Sequence, residues 1–316
     1  MQPPQGDAMR TAFLFPGQGA QTIGMGADLY NDFYDYKQTF DACMDGAQLD
    51  LKAACFEGAN MDGGETIQPA IFAHTVSLLQ LVKNTVKEAQ AYAGLSLGEY
   101  SALCAAGVIG AAQGAALVRE RGRIMDGAFA PGEGGMLSVI GFALDEVELA
   151  IEDVQDAYVA NHLSDKQIVV AGRMAQLNML KEKFEQMGAK MVTLLAVAGP
   201  SHAPLLQGAS EAFARVLETE TFADMQGTVY ANALGAPYES GSDIKALLAE
   251  QMRSRVKWHD CIEHMIASGV ERFVEIGPSN VLSKMLKRRV DKGTQVHSVR
   301  DAASLKKFLD TCEVGS

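Results

Sequence analysis

Apolar positions in this chain fall into two rhythms. Short apolar runs end abruptly at Gly or Pro, and longer stretches between them carry apolar residues three and four apart. The first run, Thr11–Phe15, predicts a strand that stops at Pro16-Gly17-Gln18-Gly19, a tight loop at the strand's C-terminal end. Helical spacing follows to about residue 58, then a polar, Gly-rich loop over 58–65. Gln68-Pro69 predicts a new helix with the proline in its first turn. Residues 89–94 predict a strand running into Gly94-Leu95-Ser96-Leu97-Gly98, and the Ala- and Leu-rich residues from Glu99 predict a helix ending near Gly107. Another helix is expected over 111–127, with 132–135 as a linker.

The next elements have an order of their own. A strand over 136–142, a helix over 144–154, strands over 157–161 and 167–171, a helix over 175–187 and a strand over 190–197 give β-α-β-β-α-β. This ferredoxin-like order predicts a small domain over 132–198, inserted into a larger one made of 9–131 and 199–305. The larger part resumes with a helix near 203–218, a strand at 227–231, helices near 242–253 and 257–268, and the strand Arg272–Ile276 stopped by Gly277-Pro278. Strands alternating with helices on both sides of the insertion predict an α/β fold with a parallel sheet. In such sheets ligands bind beyond the C-terminal ends of the strands, which points to the loop after residue 15.

Composition adds exclusions. Of 316 residues, 48% are hydrophobic and 21% charged, an ordinary globular balance, and a monomer is expected for this size. No apolar run reaches the roughly 18 residues of a membrane span. Residues 1–10 lack the basic-then-apolar order of a signal peptide, so a cytoplasmic protein with an N-terminal tail is expected. Cys43, Cys55, Cys104, Cys261 and Cys312 are far apart and include no C-x-x-C pair, which supports neither a disulfide framework nor a zinc site; Cys104 reads as a buried small apolar residue. A net charge of −12 argues against nucleic acid, and an acidic protein partner would need a local basic patch. Lys284, Lys287, Arg288 and Arg289 form the densest one, read first as a solvated helix face.

Gly94-x-Ser96-x-Gly98 is the pattern of a nucleophile elbow. A sharp strand-to-helix turn crowds its flanks, which glycine relieves, and sets the serine hydroxyl at a helix N-terminus where free N–H groups favour negative charge. The Leu97 N–H then points toward an oxyanion. Serine needs a base, because its own pKa leaves almost no alkoxide near neutrality. Of six histidines, His74, His259 and His264 lie in helical stretches, His162 in the small domain and His297 in a C-terminal strand or loop. His202 follows the breaker Gly199-Pro200, where the chain re-enters the large domain, and is either the base or a satisfied structural histidine. Arg119, Arg121 and Arg123 cannot share one helix face. Arg121 is either a bidentate partner for a substrate carboxylate or part of a solvated surface.

These residues, taken together, resemble the malonyl-CoA:acyl carrier protein transacylases of fatty-acid and polyketide synthesis. The resemblance spans residues 11 to about 290, through Phe15-Pro16-Gly17-Gln18-Gly19-Ala20-Gln21, Gln68-Pro69-Ala70, Gly94-Leu95-Ser96-Leu97-Gly98-Glu99-Tyr100, Arg121-Gly122-Arg123, Pro200-Ser201-His202 and Glu275-Ile276-Gly277-Pro278. It implies an α/β-hydrolase-like core with a ferredoxin-like insertion, Ser96 as nucleophile and His202 as its base. It also implies an oxyanion hole from Gln18 and the Leu97 amide, and Arg121 as the clamp that selects malonyl over acetyl. Gln251 aligns with the residue whose backbone carbonyl orients the histidine, Gln68 with an active-site glutamine, and Asn161 with the first of two small-domain asparagines. Malonyl-CoA and a phosphopantetheinylated acyl carrier protein are the implied substrates, with no metal or redox cofactor. Two positions depart from the family pattern: Leu95 stands where His is usual before the nucleophile, and Leu163 where the second asparagine is expected.

Overall fold

Two sheets organise the chain in the computed structural model, which describes residues 9–86 and 89–313; residues 1–8 of the expected tail lie outside them. The strands are β1 (Thr11–Phe15), β2 (Ala89–Gly94), β3 (Gly134–Ile140), β4 (Ala157–Ser164), β5 (Gln167–Arg173), β6 (Met191–Leu194), β7 (Thr228–Ala231), β8 (Ala236–Pro237), β9 (Arg272–Ile276) and β10 (Gln295–Val299). The larger sheet runs β10-β9-β1-β2-β7-β8 and the smaller β4-β5-β3-β6. From β10 to β7 the pairing is parallel. The two-residue β8 returns antiparallel against β7, so the expected parallel sheet carries one antiparallel edge.

Central β1 is buried along its whole length because helices cover both faces of the sheet. Its period-2 alternation divides it between two cores. Phe13 and Phe15 join the core beneath the helices Tyr34–Ala47, Gly64–Lys83 and Ala111–Asp126, while Ala12 and Leu14 pack with Trp258, Cys261 and Met265 of helix Trp258–Ala267.

The smaller sheet is antiparallel throughout and is built in β-α-β-β-α-β order. One face, with Leu137, Val139, Ile168 and Val170, packs on the helices Leu144–Ile151 and Met174–Gln186. The alternate residues Met136, Val169 and Ala171 face the other way with Ala160 and Ala203. That second face looks onto the larger sheet's C-terminal edge and forms one wall of a cleft.

Several boundaries differ from expectation. Helix Gly64–Lys83 starts before Pro69, which sits inside it. The Gly63 carbonyl already accepts from Thr66 and Ile67, and the Asp126 carboxylate takes the Glu65 N–H, so the first turn closes without the proline. The expected linker is partly strand, since Gly134 and Gly135 pair with Arg173 and Gly172. Strand β4 runs on to Ser164, and its Asn161 also bridges Val256 of the larger unit. Strand β6 stops at Leu194 because the chain then leaves the sheet for the cleft, which Leu195 and Val197 line. Cys104 is half-buried rather than buried.

Candidate active site

Strands β1 and β2 end level, with Phe15 opposite Gly94, so their following loops emerge side by side. The Leu95 N–H donates to the Phe15 carbonyl at 2.9 Å and fastens the two loops together. Ser96 then turns through φ 53°, the left-handed region that a non-glycine residue enters only when its surroundings hold it there. A Cβ on Gly94 would lie 1.8 Å from the Gly98 carbonyl carbon, and one on Gly98 would lie 2.2 Å from the Phe15 oxygen. Both glycines of the motif are therefore required by close backbone approach.

The hydroxyl of Ser96 meets His202 across 106 positions of sequence, Oγ to Nε2 at 2.8 Å. On its far side the imidazole Nδ1 lies 2.7 Å from the Gln251 backbone oxygen. A carbonyl can only accept, so Nδ1 carries the proton and Nε2 presents its lone pair to the serine. The His202 N–H donates to the Met252 carbonyl at 3.0 Å, which holds the residue at φ 61°. Burial, and then the nearby Arg121 cation, pull the imidazole's pKa down to about 3, with the Gln251 bond opposing them. The ring is neutral at physiological pH and free to take a proton.

Arg121 is 1% exposed, while Arg119 and Arg123 lie outside on ion pairs with Glu65 and Glu120. Its Nη1 donates to Gln68 Oε1 at 2.8 Å, and its Nη2 to Ser96 Oγ and Gln251 Oε1, both at 3.0 Å. All these acceptors are uncharged. Among the described residues no carboxylate hydrogen-bonds this buried cation, which leaves it able to pair with an anion from outside.

A cavity of about 170 Å³ opens over these groups. Gln18, Gln68, Ser96, Arg121, Asn161 and His202 line it, opposite an apolar wall of Met125, Met136, Leu163, Val169, Leu195, Val197 and Leu206. Leu95 also lines it. Gln68 bridges from Arg121 to Gln18, its Nε2 donating to Gln18 Oε1 at 3.3 Å. The side chain of Leu97 is buried in the core away from the cavity. The backbone N–H groups of Gln18 and Leu97 have no hydrogen-bond partner among the described residues, as free oxyanion donors require.

The other histidines are elsewhere. His74 is buried against the Tyr36 hydroxyl at 2.8 Å, His162 stacks on His259 at 4.2 Å, and His264 caps Gly235. His297 lies on β10 beside Phe308. Lys284, Lys287 and Arg288 are exposed, and Arg289 is tied to Glu263. Among the described residues no His, Cys, Asp or Glu cluster could hold a metal ion, and no helix is long and apolar enough to cross a membrane.

Sequence reasoning missed the support under the elbow. Asn232, just after β7, accepts the Ser96 N–H at 2.7 Å and donates to the Gly94 carbonyl at 2.7 Å. Glu99 accepts from the Asn232 N–H at 3.0 Å and from Gln251 Nε2 at 2.7 Å, and Tyr238 donates its hydroxyl to the same carboxylate. The available signal was Glu99 itself, a lone carboxylate opening an otherwise Ala- and Leu-rich helix.

Comparison with known proteins places the chain in a family. A family model described as "Acyl transferase domain" matches residues 12–311. A Bacillus subtilis (strain 168) protein named malonyl CoA-acyl carrier protein transacylase is 33% identical over 308 residues, covering 96% of this chain and 97% of the relative. Among solved structures, a malonyl CoA-acyl carrier protein transacylase from Clostridium perfringens superposes with TM-score 0.92 at 33% identity, covering 97% of this chain and 98% of the other. A type II PKS acyl-carrier protein in complex with its malonyl-transacylase gives TM-score 0.90 at 34% identity, with 96% and 99% covered.

Proposed function

This chain belongs to the acyl transferase family, and on that premise we propose that it moves a malonyl group from coenzyme A to the phosphopantetheine thiol of an acyl carrier protein through an ester on Ser96. One observation carries the reading. A single hydroxyl lies 2.8 Å from a neutral imidazole and 3.0 Å from a buried guanidinium that, among the described residues, no carboxylate hydrogen-bonds. Nucleophile, base and an anion-binding group thus converge at one point.

In the first half-reaction His202 Nε2 takes the Ser96 proton as Oγ attacks the thioester carbonyl. The tetrahedral oxyanion lies against the Leu97 and Gln18 N–H groups, each contributing about 3 kcal/mol. Collapse breaks the C–S bond, and His202 returns the proton to the departing coenzyme A thiolate. In the second half-reaction the carrier's thiol gives its proton to His202 and attacks the serine ester, and Ser96 leaves with that proton. Arg121 pairs with the malonyl carboxylate, held in place by Gln68 and Gln251, and Asn161 borders the substrate from the small unit. The reading includes a cytoplasmic monomer with no cofactor of its own, composed of a catalytic domain over 9–131 and 199–305 and a small domain over 132–198.

Intact-mass spectrometry after mixing with malonyl-CoA tests it. The expected result is a malonyl adduct on Ser96, absent from Ser96→Ala, that persists until carrier protein removes it. Fast release of malonate without carrier protein would instead make the protein a hydrolase, and no adduct at all would strike the proposal down.

A further inference from the structure

Beneath the reacting groups lies one carboxylate to which the mechanism assigns nothing. We propose that Glu99 is a positioning residue that sets nucleophile, base and guanidinium in register, and that it does so in its ionised form. The proposal takes the site as read above. Glu99 is 1% exposed, and its Oε2 accepts from the Asn232 N–H at 3.0 Å and from Gln251 Nε2 at 2.7 Å, while Oε1 takes the Tyr238 hydroxyl. Each of the first two donors continues into the site. Asn232 grips the elbow from both sides, accepting from Ser96 N–H and donating to Gly94 O, each at 2.7 Å. Gln251 spends both amide hydrogens, one on Glu99 and one on Ser96 O at 3.1 Å. Its Oε1 is thereby forced toward Arg121, and its backbone oxygen is held beneath His202.

Glu99 faces two N–H donors that cannot accept in return, so a proton on the carboxyl would have only Tyr238 to bond. The ionisable groups around it are Tyr238, Tyr100, Cys261 and Arg121. Burial keeps the tyrosines and the thiol neutral, and among the described residues Arg121 is the cation that acts on it. Burial raises the Glu99 pKa, and the bonds from Tyr238, Asn232 and Gln251, together with Arg121, oppose that rise without cancelling it. The ionised state therefore depends on those donors.

Two variants test this, each read by the pH dependence of kcat for malonyl transfer and of Ser96 labelling by a fluorophosphonate, which needs no malonyl recognition. Tyr238→Phe leaves the Asn232 and Gln251 bonds but removes a group that lowers the Glu99 pKa. The acid limb of both profiles is expected to move up by roughly half to one pH unit. Glu99→Gln keeps a carbonyl for both N–H donors without the charge, and is expected to lower both rates about 10- to 100-fold with malonyl-CoA KM nearly unchanged. A purely structural role would not move the limb in a folded Tyr238→Phe protein. An unmoved limb in that variant overturns the proposal, whether or not Glu99→Gln folds, and so does a Glu99→Gln protein with wild-type rates. Failure of wild-type protein to load malonyl while still reacting with the fluorophosphonate would strike the malonyl reading and leave Glu99 testable.

Discussion

Replacing Arg121 with Ala separates what the guanidinium does for the substrate from what it does for the serine. In the resting site Nη2 donates to Ser96 Oγ at 3.0 Å, so its loss alters the nucleophile for every acyl donor alike. The carboxylate of malonyl is the part that acetyl lacks, and a bond to a charged group contributes about 1.5–3 kcal/mol. Two such bonds from one planar guanidinium come to about 3–6 kcal/mol, or roughly 10²- to 10⁴-fold at 1.4 kcal/mol per decade. The quantity to measure is therefore the ratio of malonyl to acetyl loading on Ser96, in which any shared effect on the hydroxyl cancels. Rates from quenched intact-mass spectra of both coenzyme A thioesters supply it. The substitution also strips Gln68 Oε1 and Gln251 Oε1 of their donor, a loss of about 1–3 kcal/mol for each buried acceptor. A thermal melt must confirm that the variant is folded. We expect the ratio to fall by at least a hundredfold while acetyl loading persists. A folded Arg121→Ala protein whose ratio stays within threefold of wild type would refute the clamp.

Two further outcomes concern stability. Gly98→Ala places a Cβ 2.2 Å from the Phe15 carbonyl oxygen, a backbone atom that cannot step aside. It should cost about 3 kcal/mol or more and lower the melting midpoint by roughly 4 °C or more; an unshifted melt contradicts the close-packed elbow. The second outcome is acid sensitivity. His74 and His202 are held neutral by burial, with pKa values near 4 and 3 against 6.5 for the free side chain. Between those limits the unfolded chain binds up to two more protons than the folded one at these sites. Their stability contribution is thus complete above pH 6.5 and is lost as pH falls toward 4, at up to about 2.7 kcal/mol per pH unit. Urea midpoints at pH 7, 6 and 5 check it, and a flat series would count against buried neutral imidazoles.

How much of this was legible in the sequence depends on the range of the interaction concerned. Strands Thr11–Phe15 and Arg272–Ile276 could be read to the residue because both are apolar runs closed by a Gly-Pro or Pro-Gly stop. The elbow was legible for the same reason, since glycine flanks a serine wherever the backbone must approach itself. Pro69 misled because its effect is local, whereas the start of its helix is fixed by Asp126, far along the chain. Residues 134–135 misled likewise: glycine has no strand preference, and they are strand only because β5 supplies their partners. Asn232, Tyr238 and the link of Glu99 to Gln251 were invisible, for a hydrogen bond between residues more than 130 positions apart leaves no periodicity.

Charge explains why the base is oriented by a backbone oxygen. An acidic residue on His202 Nδ1 would set a second anion near Arg121, which sits with the same serine and the same Gln251. That anion would compete with an incoming carboxylate for the cation and would raise the imidazole's pKa. The Gln251 carbonyl fixes the tautomer without adding a charge. The negative charge that the buried guanidinium does sense is Glu99, held one amide away, with Gln251 accepting from Arg121 and donating to the carboxylate. At that remove Glu99 offsets the cation's burial without occupying its N–H groups. Arg121 therefore stays charged, desolvated and open to a ligand's carboxylate, the condition under which a small dicarboxylic acyl group can be told from a monocarboxylic one.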